Sequence, residues 1–270
     1  VSERSGSTSM ARSRAKSREG DRIHEETKWF AYGAPDPSRT PLFAFHYPGS
    51  GAASTYAAWP RSLGPAQLCP IQPPGRENRH REEPVRTMPE FAARCAEAIR
   101  PYTNNKYVMI GHCGGASHML HTAAEICAQG GAPPSLMIVS SWGAPLTEPY
   151  GRLNLTPLED IDVVEEVRAA SRLRLGHPLD PDLEPLVAGV LELDLRLQRT
   201  ARSGLQPPAV PILLIGWSND EVVASQEVWP SVWPSSEVIR FQEMRGDHWA
   251  YLRCEEPFAK VLVREMEAHG

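Results

Sequence analysis

Long apolar runs are missing from these 270 residues, and so is any excess of positive charge. A membrane-spanning helix takes about 20 consecutive apolar residues, and no stretch approaches that. The N-terminus lacks the apolar core of a signal peptide, so a cytoplasmic location is expected. A formal net charge of −5 leaves no basic stripe of the kind a nucleic-acid binder carries. Paired-cysteine metal spacing is absent too. The five cysteines, Cys69, Cys95, Cys113, Cys127 and Cys254, are scattered and odd in number. Each therefore reads first as a buried thiol in a reducing compartment. Nothing implies a metal, an organic cofactor, a membrane or a nucleic-acid partner.

What is present suits one large α/β domain or two small ones: 41% hydrophobic and 23% charged residues, both ordinary for a globular protein. Residues 1–26 are polar and rich in Ser, Arg and Glu, so a flexible tail is expected there, with residues 27–270 as the folded domain. Short apolar runs then alternate with helical segments. Strands are expected at Leu42–His46, Gln67–Ile71, Tyr107–Ile110, Ser135–Ser140, Val210–Gly216 and Val238–Phe241. Helices are expected at Ala53–Leu63, at Met88–Arg100 with Phe91, Cys95 and Ile99 on one face, from the turn after Gly111 to about Gln129, and from Pro257 onward. That alternation predicts an α/β fold with a mostly parallel sheet flanked by helices. Residues 144–206 break the pattern and read as helices at Val163–Leu173 and Leu183–Arg202, a helical lid inserted over the strand ends. The Leu and Val stripe between residues 183 and 200 reads first as lid core and second as pocket lining.

The most informative pentapeptide is Gly111-His112-Cys113-Gly114-Gly115. It has the form G-x-C-x-G, a nucleophile elbow with cysteine at the apex, after an apolar strand and before a helix-capable stretch. A strand that turns abruptly into a helix needs small flanking residues, and it presents its apex side chain at a positive helix end that favours a thiolate. An elbow of the α/β-hydrolase type predicts the chain order nucleophile, acid, base. Asp220 follows the strand ending at Gly216, and His248 lies between the last strand and the last helix. His248 would take the thiol proton while the carboxylate orients the imidazole. Glu221 or Asn219 could replace Asp220, and Asp247 reads as a turn residue. His112, His118, His121 and His80 carry less signal. The bland alternatives are a structural thiol at Cys113 and a turn histidine packed on Trp249.

Four segments in order resemble the type II thioesterases that accompany polyketide and non-ribosomal peptide synthases. They are Phe45-His46-Tyr47-Pro48-Gly49-Ser50-Gly51, Pro70-Ile71-Gln72-Pro73-Pro74-Gly75-Arg76-Glu77-Asn78-Arg79, the Cys113 elbow, and Gly246-Asp247-His248-Trp249-Ala250-Tyr251-Leu252. The resemblance implies an α/β-hydrolase fold, a carrier-protein partner, and a substrate acyl or aminoacyl group held as a phosphopantetheine thioester. Two departures stand out. Cysteine replaces the usual serine, which suits transfer between thiols, because an acyl-cysteine is itself a thioester. The oxyanion hole is also altered. One donor should be the Gly114 N–H, but the other falls at Pro48, which has none, leaving a gap or a neighbour such as Gly49. Loss of one such donor costs about 2.7–4 kcal/mol in hydrolases that depend on it. Hydrolysis and transfer both remain open, as do a catalytically silent binding module and a general ester or dienelactone-type hydrolase.

Overall fold

The computed structural model describes residues 27–143, 151–201, 208–223 and 239–269. The expected tail at 1–26, both ends of the expected lid (144–150 and 202–206) and Val238 lie outside the described residues.

The apolar runs become strands β1 (Thr40–Phe45), β2 (Ser62–Leu63), β3 (Ala66–Ile71), β4 (Val108–His112), β5 (Leu136–Ser140), β6 (Ile212–Trp217) and β7 (Ile239–Met244). They form one seven-stranded sheet in the order β2-β3-β1-β4-β5-β6-β7. Every pairing is parallel except β2 with β3. Strand periodicity sorts the side chains to two faces. Phe43, Phe45, Met109, Val139 and Leu214 go to one buried cluster, and Leu42, Ala44, Ile110, Ile138 and Ile215 to the other. A sheet buried on both faces explains why these strands read as continuous apolar runs.

The helices are α1 (Ala52–Thr55), α2 (Met88–Ile99), α3 (Gly114–Ala128), α4 (Arg152–Leu155), α5 (Val163–Leu175), α6 (Glu184–Gln198), α7 (Ala250–Arg253) and α8 (Glu256–His269). Helices α2 and α3 cover the first face through Met88, Phe91, Met119 and Leu120, and α8 covers the second through Phe258, Leu262 and Met266. The expected helix over Ala53–Leu63 is corrected: only α1 forms, and Ser62–Leu63 is a strand. Pro60 disfavours a helical Trp59 and removes a donor, and Gly64 at φ +54° turns β2 back onto β3.

The lid is helical as expected. Helix α5 starts at an Asp162 cap that accepts from the Glu165 N–H at 3.0 Å and ends at left-handed Gly176. Helices α5 and α6 share a small core of Val167, Ala188, Leu191 and Leu195. Sheet order reverses between β1 and β4, and at such a switch point ligands bind beyond the carboxyl ends of the strands.

Candidate active site

Strand β4 ends at His112, and Cys113 follows at φ 51°, ψ −136° as the cap of α3. Positive φ is unusual for a residue with a Cβ, and here the neighbours enforce it. A Cβ on Gly111 would stand 2.6 Å from the Ala116 Cα, and one on Gly115 would stand 2.5 Å from the His46 carbonyl oxygen. Both flanking glycines of the pentapeptide are therefore required by backbone contact. The Cys113 N–H donates to the Ser140 carbonyl at 2.8 Å, tying the elbow to the end of β5.

The loop after β6 brings Asp220 to the same place, and the turn after β7 brings His248. His248 Nδ1 lies 3.0 Å from Asp220 Oδ1 and 2.9 Å from Oδ2. Cys113 also interacts with the His248 imidazole, and with Nδ1 committed to Asp220 the nitrogen left to face the sulfur is Nε2. Burial opposes charging of this imidazole. Its interactions with Asp220 and Cys113 outweigh burial and raise its pKa to about 9. Burial pushes the Asp220 carboxyl up, but the bonds from His248, Val223 and Ser141 leave it below its usual range. Asp220 Oδ1 accepts the Val222 and Val223 N–H groups at 2.8 Å each, and Oδ2 accepts the Ser141 hydroxyl at 2.7 Å. Glu221 and Asn219 are exposed, and Asp247 is a turn residue, 3.8 Å from Arg253.

Support comes from residues that spacing did not single out. Ser141, at φ 50°, follows β5 and holds Asp220. Tyr251 stacks on His112 with ring centroids 4.3 Å apart, and His112 lies 4.5 Å from the His248 ring. Ser140 Oγ accepts from Trp217 Nε1 at 3.0 Å and meets His112 Nδ1 at 3.0 Å. These contacts join the ends of four strands, and no sequence interval records them. His118 and His121 are buried in α3 and His80 is exposed in its loop.

The three residues expected to form the oxyanion hole differ. Gly114 opens α3, and its N–H belongs to the first turn, which has no intrahelical acceptor. Pro48 lies against it: a Cβ on Gly114 would meet the Pro48 Cγ at 2.5 Å. The Gly49 N–H donates to Asp194 Oδ2 of α6 at 2.8 Å. Between the lid and these loops lies a cavity of about 510 Å³, walled by Tyr47, Trp249, Leu179, Val187, Leu191 and Arg174. Arg174 donates to the Tyr47 hydroxyl at 2.8 Å. Among the described residues, no group of three His, Cys, Asp or Glu is placed to hold a metal ion, and no helix is long and apolar enough to cross a membrane.

A mostly parallel sheet with an elbow, an acid after β6 and a histidine after β7 defines an α/β-hydrolase fold. Residues 40–187 match the model of the thioesterase domain, and the chain belongs to that family. It is 27% identical to linear gramicidin dehydrogenase LgrE of Brevibacillus parabrevis, over 84% of this chain and 88% of that protein. It is also 27% identical to gramicidin S biosynthesis protein GrsT of Aneurinibacillus migulanus, over 77% and 82% respectively. Among solved structures, the RedJ thioesterase of the prodiginine pathway in Streptomyces coelicolor superposes with a TM-score of 0.69 at 23% identity, covering 88% of this chain and 96% of that one. YbtT, a type II thioesterase of the yersiniabactin pathway, gives 0.67 at 21% identity, covering 88% and 97%.

Proposed function

We propose that this protein takes an acyl or aminoacyl group from the phosphopantetheine thioester of a carrier protein onto Cys113 and releases it by hydrolysis in natural-product biosynthesis. The observation that carries the reading is the line from Asp220 through His248 to Cys113. The proton of the Cys113–His248 pair rests on His248 Nε2 as the sulfur attacks the thioester carbon. The bond to the pantetheine sulfur breaks, and that sulfur leaves with the proton from His248. Water then attacks the Cys113 thioester while His248 takes its proton, and the cysteine sulfur departs from the freed acid. Asp220 keeps the imidazole in the tautomer with Nε2 facing the nucleophile. The cavity under the lid has a size and apolar lining suited to an acyl chain. Two relatives, one named a linear gramicidin dehydrogenase and the other a gramicidin S biosynthesis protein, support the pathway class.

A second reading, transfer to another carrier thiol, has its own support. Cysteine stands at the elbow, Pro48 has no N–H, and the Gly49 N–H is already engaged. Thiol attack exchanges one thioester for another and tolerates a weaker hole better than attack by water. Intact-protein mass spectrometry with carriers loaded with acetyl, octanoyl and aminoacyl groups tests both readings. The expected result is an acyl adduct on the protein that is lost in Cys113→Ala. Prompt release of free acid excludes the shuttle, whereas an adduct discharged only by carrier thiol excludes the hydrolase. No adduct with any carrier overturns the reading as a whole.

A further inference from the structure

One face of the lid helix α6 lies directly on the catalytic loops. Leu191, Asp194 and Gln198 recur at helical spacing and are all buried. A Cβ on Gly49 would stand 3.2 Å from the Leu191 Cβ. Asp194 Oδ2 accepts the Gly49 N–H at 2.8 Å and one Arg76 nitrogen at 2.8 Å, and Oδ1 accepts the other at 2.6 Å. Arg76 also donates to the Ser50 carbonyl at 2.9 Å. One turn further on, Gln198 Nε2 donates to the Gly114 carbonyl at 3.1 Å, and its Oε1 accepts from Asn154 of α4 at 2.6 Å. The same amide nitrogen occupies the space a Gly114 side chain would need, beside Pro48. The helix thus grips the loop after β1 with one polar side chain and the residue after the nucleophile with another. Neither side chain touches Cys113 or His248 in any of these bonds.

We propose that Asp194 and Gln198 are positioning residues that make the lid helix part of the oxyanion side of this site. The inference rests on the acyl-transfer reading above. Asp194 fixes the Pro48–Gly51 loop and commits the Gly49 N–H, so that the reacting carbonyl oxygen meets the Gly114 N–H. Gln198 fixes the peptide unit that follows that N–H. The placement of one hydrogen-bond donor, rather than the reactivity of the sulfur, depends on these two residues.

Two rates on Cys113 separate those effects. Acylation by a loaded carrier passes through a tetrahedral oxyanion, whereas alkylation by iodoacetamide forms none and needs only the sulfur and its base. In Asp194→Asn and, separately, Gln198→Met, the acylation rate is expected to fall about 10- to 100-fold while alkylation of Cys113 stays within about twofold. The carrier is whichever loaded form acylates the unsubstituted protein fastest. A variant that fails to fold exposes all five cysteines to alkylation, and the other variant then carries the test. Equal loss of both rates, or no loss of acylation, overturns the proposal while leaving the functional reading intact. No acylation of the unsubstituted protein overturns the functional reading, and this inference with it.

Discussion

Cys113 has a backbone conformation that a side chain rarely adopts, and the two glycines around it have no room for one. The pentapeptide made that much legible, because only residues without a Cβ allow strand and helix to approach so closely at the turn. His248 shows what the pentapeptide could not carry. Its pKa of about 9 lies above the ordinary imidazole value of 6.5 because Asp220 and Cys113 overcome burial. A pKa raised by folding adds stability that is complete below about 6.5 and is lost as pH rises through about 9. Denaturant midpoints are therefore expected to fall between pH 6.5 and 9.5, and the fall should shrink in Asp220→Asn. His46 moves the opposite way. Burial and then Arg76 hold its pKa down to about 4 despite Asp194. Its contribution is present above about pH 6.5 and is lost as pH falls through 4. Midpoints measured from pH 6.5 down to 4 are expected to fall, and to fall less in His46→Gln.

Helices and strands with a clear period were readable to within a few residues. Helix α2 shows why: Phe91, Cys95 and Ile99 repeat along one buried face, and Thr87 closes its start by accepting the Glu90 N–H at 3.3 Å. Thr87→Ala is expected to lower unfolding free energy by about 1 kcal/mol, read from denaturant midpoints. The misread helix at Ala53–Leu63 is broken locally at Pro60, and tertiary contacts account for the apolar spacing that suggested it. Tyr56, Trp59 and Leu63 are spaced much as a helix would space them and all are buried, yet each makes its own backbone attachment. Tyr56 donates to the Phe45 carbonyl at 2.8 Å, Trp59 to the Tyr251 carbonyl at 3.0 Å, and Leu63 belongs to the β2–β3 hairpin. In α6 the apolar stripe was visible, but Asp194 and Gln198 inside it were not singled out. A carboxylate and an amide on the buried face of an otherwise apolar helix were the available signal, since such groups are rarely buried without partners.

Across the whole molecule, lid and core are joined by a buried ion pair, Arg76 with Asp194. Removing one partner strands the other charge away from water. Arg76→Ala is therefore expected to cost about 3–5 kcal/mol in unfolding free energy by chemical denaturation. The exposed Arg86–Glu83 pair is the comparison, and Arg86→Ala is expected to change stability by less than about 1 kcal/mol. A small effect of Arg76→Ala would mean that the lid is held mainly by its apolar contacts. The cavity beneath it is likewise a property of the assembled molecule, because its wall combines lid helices, the loop after β1 and Trp249 beside His248.

Local rules written in the chain determined the alternation of strands and helices, the elbow and the order Cys113, Asp220, His248. Tight turns, apolar periods and strand ends leave marks over a few residues. Tertiary structure alone decided which groups surround the elbow. It gave the Gly49 N–H to Asp194, 145 positions away, set Pro48 against Gly114, and placed Gln198 beside them. A hydrogen bond between distant segments depends on how the sheet and lid pack, and no local pattern of residues specifies that distance.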